Sequence, residues 1–221
     1  IGAAMALRGV LESSDQPFEI HVIGTPSEES LDGGKNEMAA HGGFDHIDVA
    51  FMVHGSTLTQ LETPSLALIE MDVEFHGKTA HAGIAPYAGR SAVDAVTMLQ
   101  TGLGLMRNHL KDSSRVSNIV LAGGTAVNSV PDFAKVKVEI RHSSMAYLES
   151  VEQWTREIAQ AAAMATQTQV QITPVAHIYN TTINDAMGAL LMECAEKFAC
   201  DGIAPPRKDC GSTDFGAVTH R

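Results

Sequence analysis

The chain has 221 residues, 44% of them hydrophobic and 19% charged, the proportions of a globular protein that buries a core and not of a disordered one. Its 26 acidic residues against 15 basic give a formal charge of -11, which repels nucleic-acid backbones and anionic lipid surfaces. No apolar run approaches the ~18 residues that a membrane span needs, so neither nucleic acid nor a membrane is expected as a partner.

Residues 1–12, with Ala3, Ala4, Met5, Leu7, Val10 and Leu11, read as a small-residue helix. The apolar run 18–23 is bounded by Pro17 and by Gly24 and Pro26, and reads as a short buried strand. It delivers Glu28 and Glu29 just past its end. Two adjacent carboxylates leaving a strand point in different directions, so one can bind a cation while the other holds a water against it. Taken alone, a Glu-Glu pair is more often a solvated acidic turn.

Asp32, Gly33, Gly34 and Lys35 mark a turn or helix start, a short helix follows to about Ala40, and residues 49–53 read as a second short strand ending at His54. Strand, helix and strand with short links suggest a βαβ unit and a parallel sheet, with Glu28, Glu29 and His54 at the carboxyl ends of its strands. On its own, His54 is more often structural than a ligand.

From Leu66 the pattern changes. Ile69, Met71, Val73 and Phe75 alternate with Glu70, Asp72 and Glu74, the period of a strand with one dry face. A helix over 90–109, strands over 117–122 and 134–140 flanking the Gly123-Gly124 turn, a helix over 145–165 and a strand over 169–175 complete the order β-α-β-β-α-β. That is a ferredoxin-like lobe, self-contained at about a hundred residues. A helix over 184–199 and the polar loop 211–216 return to the first domain. The expected division is 1–64 and 179–221 for the first domain, with 65–178 inserted. The chain starts without Met inside a helical pattern and stops without a cap or turn signal, so a piece of a longer protein is expected.

Within the lobe, His81 follows a strand on a loop suited to reach another lobe, or is a surface loop histidine. Asn128 could hold an oxyanion or cap a turn. Arg141 ends an alternating strand, and its guanidinium suits either a substrate carboxylate or a rim salt bridge. Ser212 lacks the nucleophile-elbow pattern and is a poor candidate nucleophile. Cys194, Cys200 and Cys210 lack CxxC spacing, which argues against a disulfide framework and for a reducing, cytoplasmic setting.

The runs GTPSEES with GGK after it, FHGKTAHAGIAPYAGRSAVDA, GGTAVNSVPD and GSTDFG together resemble the aminoacylase/carboxypeptidase/amidohydrolase family of two-zinc metallopeptidases, closest to its aminobenzoyl-glutamate hydrolase branch. The resemblance implies an α/β fold, a zinc-peptidase-like catalytic domain present in part, with the inserted lobe as its lid or dimerisation domain. It implies Glu28 as general base, Glu29 and His54 as metal ligands, and His81 polarising the scissile carbonyl across a homodimer. Asn128 and Arg141 match positions that hold a substrate carboxylate.

The implied cofactor is zinc, two ions in the complete protein, with manganese or cobalt as alternatives, and the implied substrate is a small N-acyl amino acid or dipeptide-like amide. The family's remaining metal ligands, a His and a bridging Asp on one side and a His on the other, would fall outside residues 1–221. Two other readings stay open: a catalytically silent dimerising or ligand-binding module, and an enzyme using Cys194 or Cys210 as nucleophile.

Overall fold

The computed structural model describes residues 1–30, 33–198, 202–206 and 211–221. The alternating stretch forms β1 (Ala67–His76), whose inward residues Ile69, Met71, Val73 and Phe75 are fully buried. Its neighbours are β2 (Arg115–Ala122), β3 (Phe133–His142) and β4 (Gln169–Ile178), in the sheet order β2-β3-β1-β4 with every pairing antiparallel. Cross-strand partners share a face, so the register sets Val73 beside Val136 and Met71 beside Val138 on the dry side.

Helices α3 (Ala92–Met106) and α4 (Met145–Thr166) cover that side. From α3 come Val96, Leu99, Leu103 and Met106, at the three- and four-residue spacing of one helix face, and from α4 come Leu148, Val151, Ala159 and Ala162. Each helix starts at a serine whose hydroxyl takes an otherwise orphaned backbone N–H, Ser91 from Asp94 and Ser144 from Tyr147. The result is the β-α-β-β-α-β lobe read from the periodicity. Its opposite face stays polar: Lys135 bridges Asp72 and Glu74 at 2.7 and 3.0 Å, and Lys137 reaches the buried Glu70 at 2.7 Å. β2 lies at the sheet edge with Ile119, Val120 and Leu121 exposed.

The chain enters and leaves the lobe at one place. Ser65 N–H donates to Thr181 Oγ1 at 2.8 Å, and Thr181 N–H donates back to Ser65 Oγ at 2.9 Å. Beside this crossing, α2 (Gly34–Ala40) packs on α6 (Gly216–Thr219) around Ala39, Phe44, Ala217 and Val218. Gly216 is required there, because a Cβ would collide with the Tyr179 carbonyl.

The flanking segments depart from expectation. Residues 18–23 and 49–53 form no strand, and the βαβ sheet expected from them is not built: among the described residues the parallel pairing outside the lobe is the single bridge Thr59 to Ile203. A strand's backbone donors and acceptors need a neighbouring strand, and these runs have none here, leaving Val22, Phe51 and Val53 exposed. Likewise α1 (Gly2–Leu11) buries no residue, and α5 (Asp185–Phe198) buries only Gly188.

Candidate active site

Glu28 sits on a tight turn made by Ser27, whose φ of 58 is left-handed and uncommon for a residue with a side chain. The turn presses against the start of α2, where Gly34 lies so close to the Pro26 carbonyl that a Cβ would not fit. This accounts for the glycines of the GGK run. Glu28 is half-buried, and its Oε1 accepts a hydrogen bond from Thr213 Oγ1 at 3.0 Å. The next residue, Asp214, is buried and gives both oxygens to Lys35: Oδ1 to the ammonium at 2.6 Å and Oδ2 to the backbone N–H at 3.0 Å. The preceding residue, Ser212, accepts from Arg141 Nη1 at 3.4 Å. Loop 211–216 therefore touches Glu28 with one residue and Arg141 with the one before it.

Arg141 is half-buried and already paired with Glu139, Nε to Oε1 at 2.7 Å and Nη2 to Oε2 at 3.0 Å. The Nη1 edge, facing Ser212, is the part of the guanidinium left for another acceptor. Ser212 has a cation beside it and not a base, which fits the view that it is no nucleophile. Cys194 is exposed on α5; Cys200, Cys210 and Asp32 lie outside the described residues.

His81 and Asn128 come together elsewhere. Their loops pair: Ala82 N–H donates to the Asn128 carbonyl at 2.9 Å, Val130 N–H to the Ala80 carbonyl at 2.8 Å, and His81 bridges Ser129. Both side chains are exposed. Gly83 N–H donates to His81 Nδ1 at 3.2 Å, so a neutral ring carries its proton on Nε2 and presents a free donor. This pair precedes the start of β3, whereas Arg141 is at its other end, about 27 Å away at about 3.4 Å per residue. The sequence grouped Asn128 with Arg141; within one chain the fold separates them.

Glu29 and His54 are exposed. His54 Nδ1 lies 2.8 Å from the Gly55 carbonyl, which takes its proton and leaves the Nε2 lone pair bare, the form in which imidazole binds a metal. The two donors suit zinc chemically, but a catalytic zinc takes about three protein ligands, and among the described residues no three of His, Cys, Asp and Glu gather into a metal site. Asp214 is committed to Lys35, and His220 Nε2 lies 2.9 Å from the Asn180 carbonyl.

Sequence reasoning passed over Lys35, Thr213 and Asp214. Their only signal was their place inside the GGK and GSTDFG runs.

Residues 67–167 match the peptidase dimerisation domain. Xaa-Arg dipeptidase of Mus musculus is 33% identical over 99% of this chain and 52% of its own length. A p-aminobenzoyl-glutamate hydrolase polypeptide from Escherichia coli K12 is 32% identical over 84% of this chain and 40% of its own. The crystal structure of an aminobenzoyl-glutamate utilization protein from Klebsiella pneumoniae superposes with a TM-score of 0.72 at 25% identity, covering 88% of this chain and 51% of that one. The chain thus spans about half the length of the relatives it matches. With the dimerisation domain in place and the flanking segments aligned as well, this chain belongs to the aminoacylase/carboxypeptidase/amidohydrolase family.

Proposed function

We propose that the protein carrying this chain hydrolyses the amide bond of an N-acyl amino acid or dipeptide-like substrate, with Glu28 as general base and the metal dependence general in its family. The observation that carries the reading is the adjacency of Ser212 and Thr213, which puts a held carboxylate and a guanidinium on one loop. The names of the relatives, a dipeptidase and an aminobenzoyl-glutamate hydrolase, support the substrate class.

In this reading Glu28 takes a proton from the attacking water, the resulting oxygen adds to the amide carbonyl, and the proton passes to the leaving nitrogen as the C–N bond breaks. Zinc held by Glu29, His54 and further ligands would lower the pKa of that water. Arg141 takes the substrate carboxylate on its Nη1 edge. His81 and Asn128 are too far along the lobe to serve the same protomer's Glu28, so they act in the site of a second copy, where the His81 Nε2 proton meets the developing oxyanion. A homodimer joined through the lobe follows. No helix among the described residues is long and apolar enough to cross a membrane, and a cytoplasmic site of action is part of the same proposal.

The test compares Glu28→Gln with Glu29→Gln in the full-length enzyme. Glu28→Gln should lose about 10²–10⁴ in turnover while keeping its metal, whereas Glu29→Gln should lose metal. Parent-level hydrolysis by Glu28→Gln rules out the base assignment.

A further inference from the structure

We propose that Thr213 is the residue that positions Glu28, and that the buried Lys35–Asp214 pair exists to hold Thr213 there. This rests on the reading of Glu28 as the base. Thr213 Oγ1 lies 3.0 Å from Glu28 Oε1 and also 3.4 Å from the Phe215 N–H. The backbone donor occupies the acceptor side of the hydroxyl, so its proton goes to the carboxylate. With Oε1 held, Oε2 is the oxygen left to face the attacking water. Glu28 needs such a hold because it leaves a left-handed Ser27 turn, where no helix or strand ladder fixes it.

Thr213 in turn depends on its neighbour. Asp214 is 1% exposed and Lys35 7%, and the pair joins segments 179 residues apart. Burying two charges costs desolvation that their attraction barely offsets, so such a pair is a poor device for stability alone and a good one for fixing a single geometry. The geometry it fixes here is specific. Lys35 belongs to the segment whose Gly34 abuts the Pro26 carbonyl, two residues before Glu28, and Asp214 is covalently next to Thr213. One ion pair therefore ties both ends of the Thr213 to Glu28 hydrogen bond to a common support. α6 fixes the far side of the loop through Ala217 and Val218 in the small core beside α2.

The experiment uses the full-length, metal-loaded enzyme with kcat, KM, metal content and melting temperature measured on each variant. Thr213→Val keeps the shape and removes the hydroxyl. It should lower kcat about 10- to 100-fold, the cost of a misplaced catalytic group, with KM, metal content and melting temperature near the parent. Thr213→Ser should restore most of the lost turnover. Asp214→Asn should lower kcat as Thr213→Val does, and combining the two should cost little more than either alone, because both act through one contact. A purely structural pair would instead lower the melting temperature and leave kcat per folded molecule unchanged. Thr213→Val turning over at the parent kcat while Glu28→Gln is dead overturns the proposal. A Glu28→Gln enzyme that still turns over shows that the base reading itself has failed. If Asp214→Asn does not fold, the Thr213 variants still decide.

Discussion

Mixing two inactive variants distinguishes a site shared between protomers from one contained in a single chain. His81 sits before the start of β3 and Arg141 at its other end, about 27 Å along the strand, with the Glu28 loop on the Arg141 side. A histidine side chain reaches only about a quarter of that distance, so His81 cannot serve Glu28 of its own chain without the lobe being dismantled. In a dimer of one His81→Ala and one Glu28→Gln protomer, one site carries both defects and the other carries neither. Random exchange of equal amounts makes about half the dimers mixed, so about one quarter of all sites regain full activity in a symmetric homodimer. The assay is turnover after denaturant-assisted exchange, with mixed dimers counted by native mass spectrometry. Each variant alone should fall about 10²-fold or more. Proven mixed dimers with no recovered turnover would refute the shared site.

Three further outcomes are expected. Phe75→Ala empties a fully buried position of the lobe core and should cost about 3–5 kcal/mol of lobe stability in a urea titration; a loss under about 1 kcal/mol means the core is not packed as described. Lys137→Met strands the buried Glu70 carboxylate and should cost about 1–3 kcal/mol at neutral pH. The hydrogen bond to Glu70 raises the Lys137 pKa above its ordinary value, so the bond stabilises the fold throughout the range below ordinary lysine titration and is lost as pH climbs through the raised value. The gap between parent and variant should close only at that alkaline end, and a gap that closes near neutrality contradicts the assignment. Finally, residues 1–221 alone should bind no zinc tightly in a calorimetric titration, since Glu29 and His54 by themselves fall short of the about three ligands a catalytic zinc takes; two equivalents at submicromolar affinity would bring other residues into the site.

The lobe was legible because its signals are local and redundant. Ile69, Met71, Val73 and Phe75 alternate with acids, and Leu99, Leu103 and Met106 share a helix face, so each pattern names both the element and its buried side. In runs 18–23 and 49–53 apolarity states that cover is wanted and not what supplies it. The stripe expected on α5 fails for the same reason: Leu190 is in the predicted face and exposed. At the site, the chemistry of Glu28 and Arg141 showed in residue type and position. Their link did not, because a hydrogen bond from Thr213 to Glu28 spans 185 residues and leaves no periodicity. The same holds for His81 and Asn128, which meet through a loop pairing that only the closed sheet brings about.

The reciprocal bonds between Ser65 and Thr181 bear on how the protein is made and remade. Because the chain departs and returns at adjacent points, joining the outer segments costs little more closure entropy with the lobe present than without it, since that cost grows only as the logarithm of length. The lobe is thus a cassette: it can condense on the ribosome as its own cooperative unit, and its sequence can drift, lengthen or be exchanged between paralogues while the two stitches at its neck are kept.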